Sequence, residues 1–208
     1  VGTDLQSSKR SIEIAEEYQN GVFACIGLHP THSKEEKFDI EEYRKLVSNP
    51  KVKAIGECGL DYFRMEKDTK EEQIQIFKKQ IELSIESDKP LMLHIRDAYE
   101  DSLSVLRQYP KARGNVHFFA GNYETAKKFI DIGFTLSFTG VITFANSYDE
   151  VIKNIPLNMI MSETDSPFVA PIPYRGKRNE PIYVKEVVKR IAEIKGEDIE
   201  KVKTTIIA

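Results

Sequence analysis

Two periodicities alternate along the chain. Short, nearly continuous apolar runs stand at Val22 to Ile26, Val52 to Ile55, Leu91 to Ile95, Val116 to Phe119, Phe134 to Phe138 and Met159 to Met161. Runs of this kind, apolar at every position, predict strands buried on both faces. Between them apolar residues recur three or four apart, as in Ile74, Phe77, Ile81 and Ile85, after a Thr69-x-x-Glu72 capping signature and before Pro90. That spacing predicts a helix. Val184, Val187, Val188 and Ile191 form a second stripe ending before Gly196, and Ala126, Phe129 and Ile130 a third that stops at Gly133, glycine being the usual residue just past a helix. Ile12, Ala15 and Tyr18 have the same spacing, so Val1-Gly2-Thr3 reads as the end of one more strand. The expectation is seven βα units at most, with parallel strands and crossover helices. A doubly wound sheet and a (β/α)8 barrel share this local pattern.

Composition narrows the class. The 208 residues carry 30 Lys and Arg against 33 Asp and Glu, a formal net charge of −3. A polybasic nucleic-acid binder is excluded, so any nucleic acid must be held by a local patch. Two cysteines, Cys25 and Cys58, are too few for a disulfide framework and fit no paired metal-binding spacing, which predicts a reducing compartment, the cytoplasm by default. No apolar run approaches the ~18 to 20 residues that span a bilayer, and no secretory pattern opens the chain. No composition shift divides it, so residues 1–208 read as one domain.

The unusual polar residues sit where either fold puts its ligands, at the strand C-terminal ends. His29 follows the first run and Glu57 the second, His94 lies in the last turn of the third, His117 is inside the fourth, and Glu163 and Asp165 close the last. A sheet with one switch point gathers ligands from two or three strands, whereas a closed barrel draws on all of them, so this spread favours the barrel. Histidines with carboxylates and no thiolate cluster suit Zn, Mn or Mg, and hydrolysis is the natural chemistry of such a set. Each residue also has a plainer meaning. His94 or His117 alone fits a satisfied core histidine, Glu57 a helix cap or a partner of Arg64, and Glu163 with Asp165 a capped turn. His32 reads as a solvated loop residue, Tyr62 and Phe63 as packing, and Cys58 as a small residue at a strand end.

Taken together, the strings Gly27-Leu28-His29-Pro30, Ala54-Ile55-Gly56-Glu57-Cys58-Gly59-Leu60-Asp61-Tyr62, Leu93-His94-Ile95-Arg96-Asp97-Ala98, His117-Phe118-Phe119-Ala120-Gly121, Glu163-Thr164-Asp165-Ser166-Pro167-Phe168 and Arg175-Gly176-Lys177-Arg178-Asn179-Glu180-Pro181 resemble, in family order, the TatD family of metal-dependent deoxyribonucleases. The family lies among the amidohydrolase-like TIM barrels. The resemblance covers essentially the whole chain and implies two divalent ions. Glu57 bridges them, His94 and His117 bind one, and Asp165 binds the other. It also implies a further active-site pair in His29 and Glu163.

Two departures stand out. The family's opening strand carries an H-x-H pair, which nothing before Val1 supplies, and the stretch Lys203 to Ala208 resembles the start of the family's closing segment. The expectation is therefore an α/β TIM (β/α)8 barrel whose first βα unit, roughly 40 residues, precedes Val1. The expected activity is hydrolysis of phosphodiester bonds in DNA from an end, with Asp165 as general base and Arg96, Lys177 and Arg178 as phosphate contacts. No membrane and no obligate protein partner is expected. The alternatives are a barrel hydrolase acting on an amide or ester, and a non-catalytic interaction protein on a degenerate barrel.

Overall fold

The computed structural model describes residues 1–63 and 69–207, the last by its backbone alone. The chain divides into two compact units, Val1–Asn115 and Val116–Ala208. The architecture is α/β, with six strands in one parallel sheet in sequence order: β1 (Ala24–Ile26), β2 (Val52–Asp61), β3 (Leu91–Arg96), β4 (Gly114–Val116), β5 (Thr135–Phe138) and β6 (Ile160–Ser162). Helix α1 (Leu5–Glu16) precedes β1, helices α2 (Ile40–Val47), α3 (Lys70–Glu86), α4 (Tyr99–Leu106), α5 (Tyr123–Asp131) and α6 (Asp149–Asn154) stand between successive strands, and α7 (Val184–Lys195) and α8 (Ile199–Ile207) follow β6. Among the described residues no helix is long and apolar enough to cross a membrane.

In the first unit β2 pairs in parallel with β1 and with β3. The expected strand at 52–55 is really ten residues long, continuing through Gly56 and Gly59 to Asp61. Its register against β3 slips between Ile55 and Cys58, a bulge of the kind that bends a strand and re-aims a side chain. Glu57 lies in that bulge, inside the strand and not after it. Val1 to Thr3 forms no assigned strand, which corrects the seventh. Its backbone still bonds to neighbours, Gly2 N donating to Cys25 O at 2.8 Å and Glu57 N to Gly2 O at 3.1 Å. Thr69 precedes α3 but makes no side-chain cap hydrogen bond, because its backbone is already helical and lacks the extended geometry that a capping box needs. Asp4 supplies that geometry for α1, its Oδ1 accepting from Ser7 N at 2.6 Å.

In the second unit β5 pairs in parallel with β6. The stripe on α7 buries Val187 and Ile191, each contributing about 1.5–3 kcal/mol of apolar burial. Gly196 ends the helix at φ 65, a conformation that favours glycine. His117 lies just past β4 and not inside a strand, followed by Phe118 at φ 45.

Candidate metal centre and its surroundings

Three side chains of the first unit, from two strands and the loop after a third, meet there. β1 ends at Ile26, and His29 opens the 3-10 turn Pro30–His32 with its backbone N–H on Thr3 O at 2.9 Å. The His29 ring is fixed by Thr31, whose Oγ1 is 2.7 Å from Nδ1, leaving Nε2 3.6 Å from Glu57 Oε1. The same Glu57 oxygen is 2.9 Å from His94 Nδ1, and the two imidazoles pack edge to face with centroids 4.3 Å apart. One ligand atom from each of His29, Glu57 and His94 lies within 4.8 Å of the others. A mixed imidazole and carboxylate donor set of this kind fits a borderline-hard divalent ion.

Asp61 completes the surroundings. Its Oδ2 is 2.8 Å from His94 Nε2, and its Oδ1 accepts from Phe63 N at 2.9 Å. Burial opposes a charged imidazole at His94, but hydrogen bonds to Asp61 and Glu57, and the charge of both carboxylates, outweigh it and raise the group to about 9. The Asp61 carboxyl is raised by burial, yet its bonds to His94 and the Phe63 N–H hold it below the ordinary value. The pocket thus favours a positive charge between two carboxylates, where a divalent cation is the alternative to the proton. A ligating histidine commonly shares its second ring nitrogen with such a carboxylate. In the sequence Asp61 belongs to the string Ala54 to Tyr62 but has no role of its own. Its signal was the spacing from Glu57, since residues two and four apart on a strand share a face.

In the second unit His117, Glu163 and Asp165 form another group. Glu163 Oε2 bonds to His117 Nδ1, while its Oε1 accepts from Phe118 N at 2.7 Å and from the Ser137 hydroxyl at 2.8 Å. His117 Nε2 is left 3.7 Å from Asp165 Oδ1. Asp165 itself sits at φ 56, a left-handed conformation that costs a non-glycine residue about 1 kcal/mol or more and clusters at functional sites. The segment behind it is tied down by the buried Asn179, whose amide donates to Thr164 O and Phe168 O, both at 2.6 Å. Sequence reasoning missed Ser137 altogether and gave Asn179 no role.

Arg96 ends β3, is exposed, and lays its guanidinium 3.6 Å from the Phe63 ring centroid, so Phe63 is a half-exposed platform and not buried packing. Lys177 and Arg178 are exposed in the loop before α7. His32 is partly buried, its Nδ1 3.1 Å from Thr3 O, and is not a solvated loop residue. Cys58 lies within β2 and not at its end; both thiols are buried and free, and burial pushes Cys25 up to about 12 and raises Cys58 well above its ordinary value. Arg64, a partner for Glu57 only in its plainer reading, lies outside the described residues.

Comparison with known proteins bears on the chain as a whole. The family profile described as TatD related DNase matches residues 1–208. The chain is 40% identical over 207 residues to the uncharacterized metal-dependent hydrolase YabD of Bacillus subtilis, covering 97% of this chain and 80% of that protein. It is 37% identical over 205 residues to the uncharacterized metal-dependent hydrolase YcfH of Escherichia coli K12, covering 97% and 76%. The crystal structure of YjjV, a TatD homologue from Escherichia coli K12, superposes with a TM-score of 0.91 at 26% identity, covering 100% of this chain and 82% of that one.

Proposed function

Because the chain belongs to the TatD related DNase family and is a metal-dependent hydrolase, we propose that its substrate is the phosphodiester backbone of DNA, cleaved from an end. The observation that carries the metal reading is the meeting of His29, Glu57 and His94 on one small volume. His29 moves in this reading from catalytic partner to ligand, with Nδ1 accepting from Thr31 N and Nε2 turned toward Glu57 Oε1. Glu57 and His94 keep the ligand role that the resemblance implied.

His117 and Asp165 are proposed as the remaining ligands, with the second of two ions. Glu163 has both oxygens committed to His117, Phe118 and Ser137, so it acts by orienting the His117 ring. Asp165, whose Oδ1 lies 3.7 Å from His117 Nε2, is proposed as the proton acceptor. A bound divalent ion supplies Lewis-acid polarisation and acidifies water. The chain supplies the carboxylate that takes the proton, and Arg96, Lys177 and Arg178 supply positive charge for phosphates. The same reading takes residues 1–208 as one hydrolase domain working in a reducing compartment, the cytoplasm, consistent with two buried free thiols.

The test is a hydrolysis panel of single-stranded and double-stranded DNA, RNA, a simple ester and an amide, each with added Mn2+, Mg2+ or Zn2+ and with chelator. Shortening of DNA from its ends, dependent on metal, is expected. Turnover of the ester or amide with DNA left intact would replace the substrate assignment.

A further inference from the structure

The apolar stripe of α3 is interrupted by two fully buried amides. Gln73 is 3% exposed and Gln80 1%, seven residues apart and so two turns along one face, about 10.5 Å. Each amide binds both main-chain groups of a single residue. Gln80 Oε1 accepts from Leu28 N at 2.9 Å and Nε2 donates to Leu28 O at 3.0 Å. Gln73 does the same to Asp61, at 2.9 Å and 3.0 Å. Leu28 is the residue before His29, and Asp61 is the residue whose carboxylate holds His94.

We propose that Gln73 and Gln80 are positioning residues for the His29, Glu57 and His94 group, setting two of its three members from one rigid helix; this rests on the metal reading above. At Leu28 the chain has left β1, and the Gln80 amide bonds at Leu28 add to the His29 N–H bond on Thr3 O in holding the backbone that delivers His29. A two-point amide bond fixes both its position and its rotation. At Asp61 the corresponding bond sets the carboxylate against His94 Nε2. Ile76, Phe77, Ile81 and Leu83, all buried, anchor α3 around the two amides, so the helix carries the spacing between the two clamped residues. A buried amide left unpaired is costly, and the plainer role for these residues is to satisfy two carbonyls and two N–H groups. Positioning demands more: metal affinity must follow the clamp.

The experiment substitutes Gln73→Met and Gln80→Met, each keeping length and volume while removing the amide. Val187→Ala, a buried cavity variant in the second unit, serves as a control for lost stability alone. Binding of Mn2+ and Zn2+ is measured by calorimetry on protein shown to be folded, with sucrose added where needed, and imidazole resonances are recorded on the metal-free protein. Expected is a roughly tenfold weaker Kd for each methionine variant, the loss typical when a residue supporting a ligand is removed. His29 resonances should move most in Gln80→Met and His94 resonances most in Gln73→Met, with neither change in Val187→Ala. Affinities within twofold of the unaltered protein would overturn the proposal. So would a methionine variant that cannot be folded even in sucrose, since the amide would then hold the fold and not the group. If the unaltered protein takes up no metal, the metal reading falls, and the resonance pattern alone decides whether the clamps set the two rings.

Discussion

Gly59 faces His94 across the ladder between β2 and β3, and Gly59→Ala tests whether that close approach sets the metal group. A Cβ built on Gly59 would lie 2.1 Å from His94 O and 3.1 Å from His94 C, at a φ of +137 that side chains rarely adopt. Carbon and carbonyl oxygen rest at about 3.3 Å or more, so the strands must part by roughly 1 Å where they normally stand about 4.8 Å apart. The backbone conformation costs about 1–3 kcal/mol, and loosening two ladder bonds about 1 kcal/mol each. The total, roughly 3–5 kcal/mol, is a large fraction of the 5–15 kcal/mol typical of a folded domain. The bonds from His94 to Glu57 at 2.9 Å and to Asp61 at 2.8 Å cannot both survive a shift of that size. Urea unfolding should show a clear fall in midpoint, and Mn2+ titration a weaker Kd. Gly21→Ala, at φ +80 with nothing within 4 Å of its Cβ, should lose only about 1 kcal/mol and bind metal normally. An unchanged midpoint and Kd in Gly59→Ala would refute the reasoning.

Glu57→Ala should abolish metal-dependent hydrolysis with little change in unfolding midpoint, and should exceed the loss in His32→Ala by orders of magnitude in the same assay; equal losses would remove Glu57 from the centre. Asp4→Ala should cost about 1 kcal/mol at pH 7 by removing the α1 cap. The Ser7 backbone bond holds the folded Asp4 carboxyl below its ordinary value. Its contribution is therefore present above the unfolded pKa of about 3.9 and fades as pH falls through the folded value. Urea midpoints at pH 7 and below 3 should show the two proteins converging in acid. Lys177→Ala and Arg178→Ala should each lower the slope of log affinity for DNA against log salt by about 0.7–0.9, measured by filter binding in Ca2+; unchanged slopes would exclude phosphate contact.

The six strands were legible because each holds or adjoins a short apolar run, although β1 alone is buried at every position; β3 alternates and Met161 at the centre of β6 is exposed. The true length of β2 was hidden by Gly56 and Gly59, which read as punctuation. In the structure they are the two positions where β2 comes within 3 Å of β3 backbone if given a Cβ. Glu57 was legible as chemistry but misplaced relative to the strand for that reason. His117 was expected inside a strand because Phe118 and Phe119 extend the apolar run, whereas β4 stops at Val116 and Phe118 turns to positive φ. Gln73 and Gln80 left little trace, because a polar residue in an amphipathic helix reads as its solvent face. Only the clamped backbone atoms, distant in sequence, give those amides a reason to be buried.

Ligation of a divalent ion by His29, Glu57 and His94 is the proposal most open to direct test. Crystals of this chain soaked in Mn2+ and measured at a wavelength where manganese scatters anomalously test it. The predicted result is an anomalous peak about 2.0–2.3 Å from Glu57 Oε1 and from a ring nitrogen of each histidine, ordinary distances for such ligands, and lost in Glu57→Ala. No peak at that group, or a peak there that Glu57→Ala leaves in place, would contradict it.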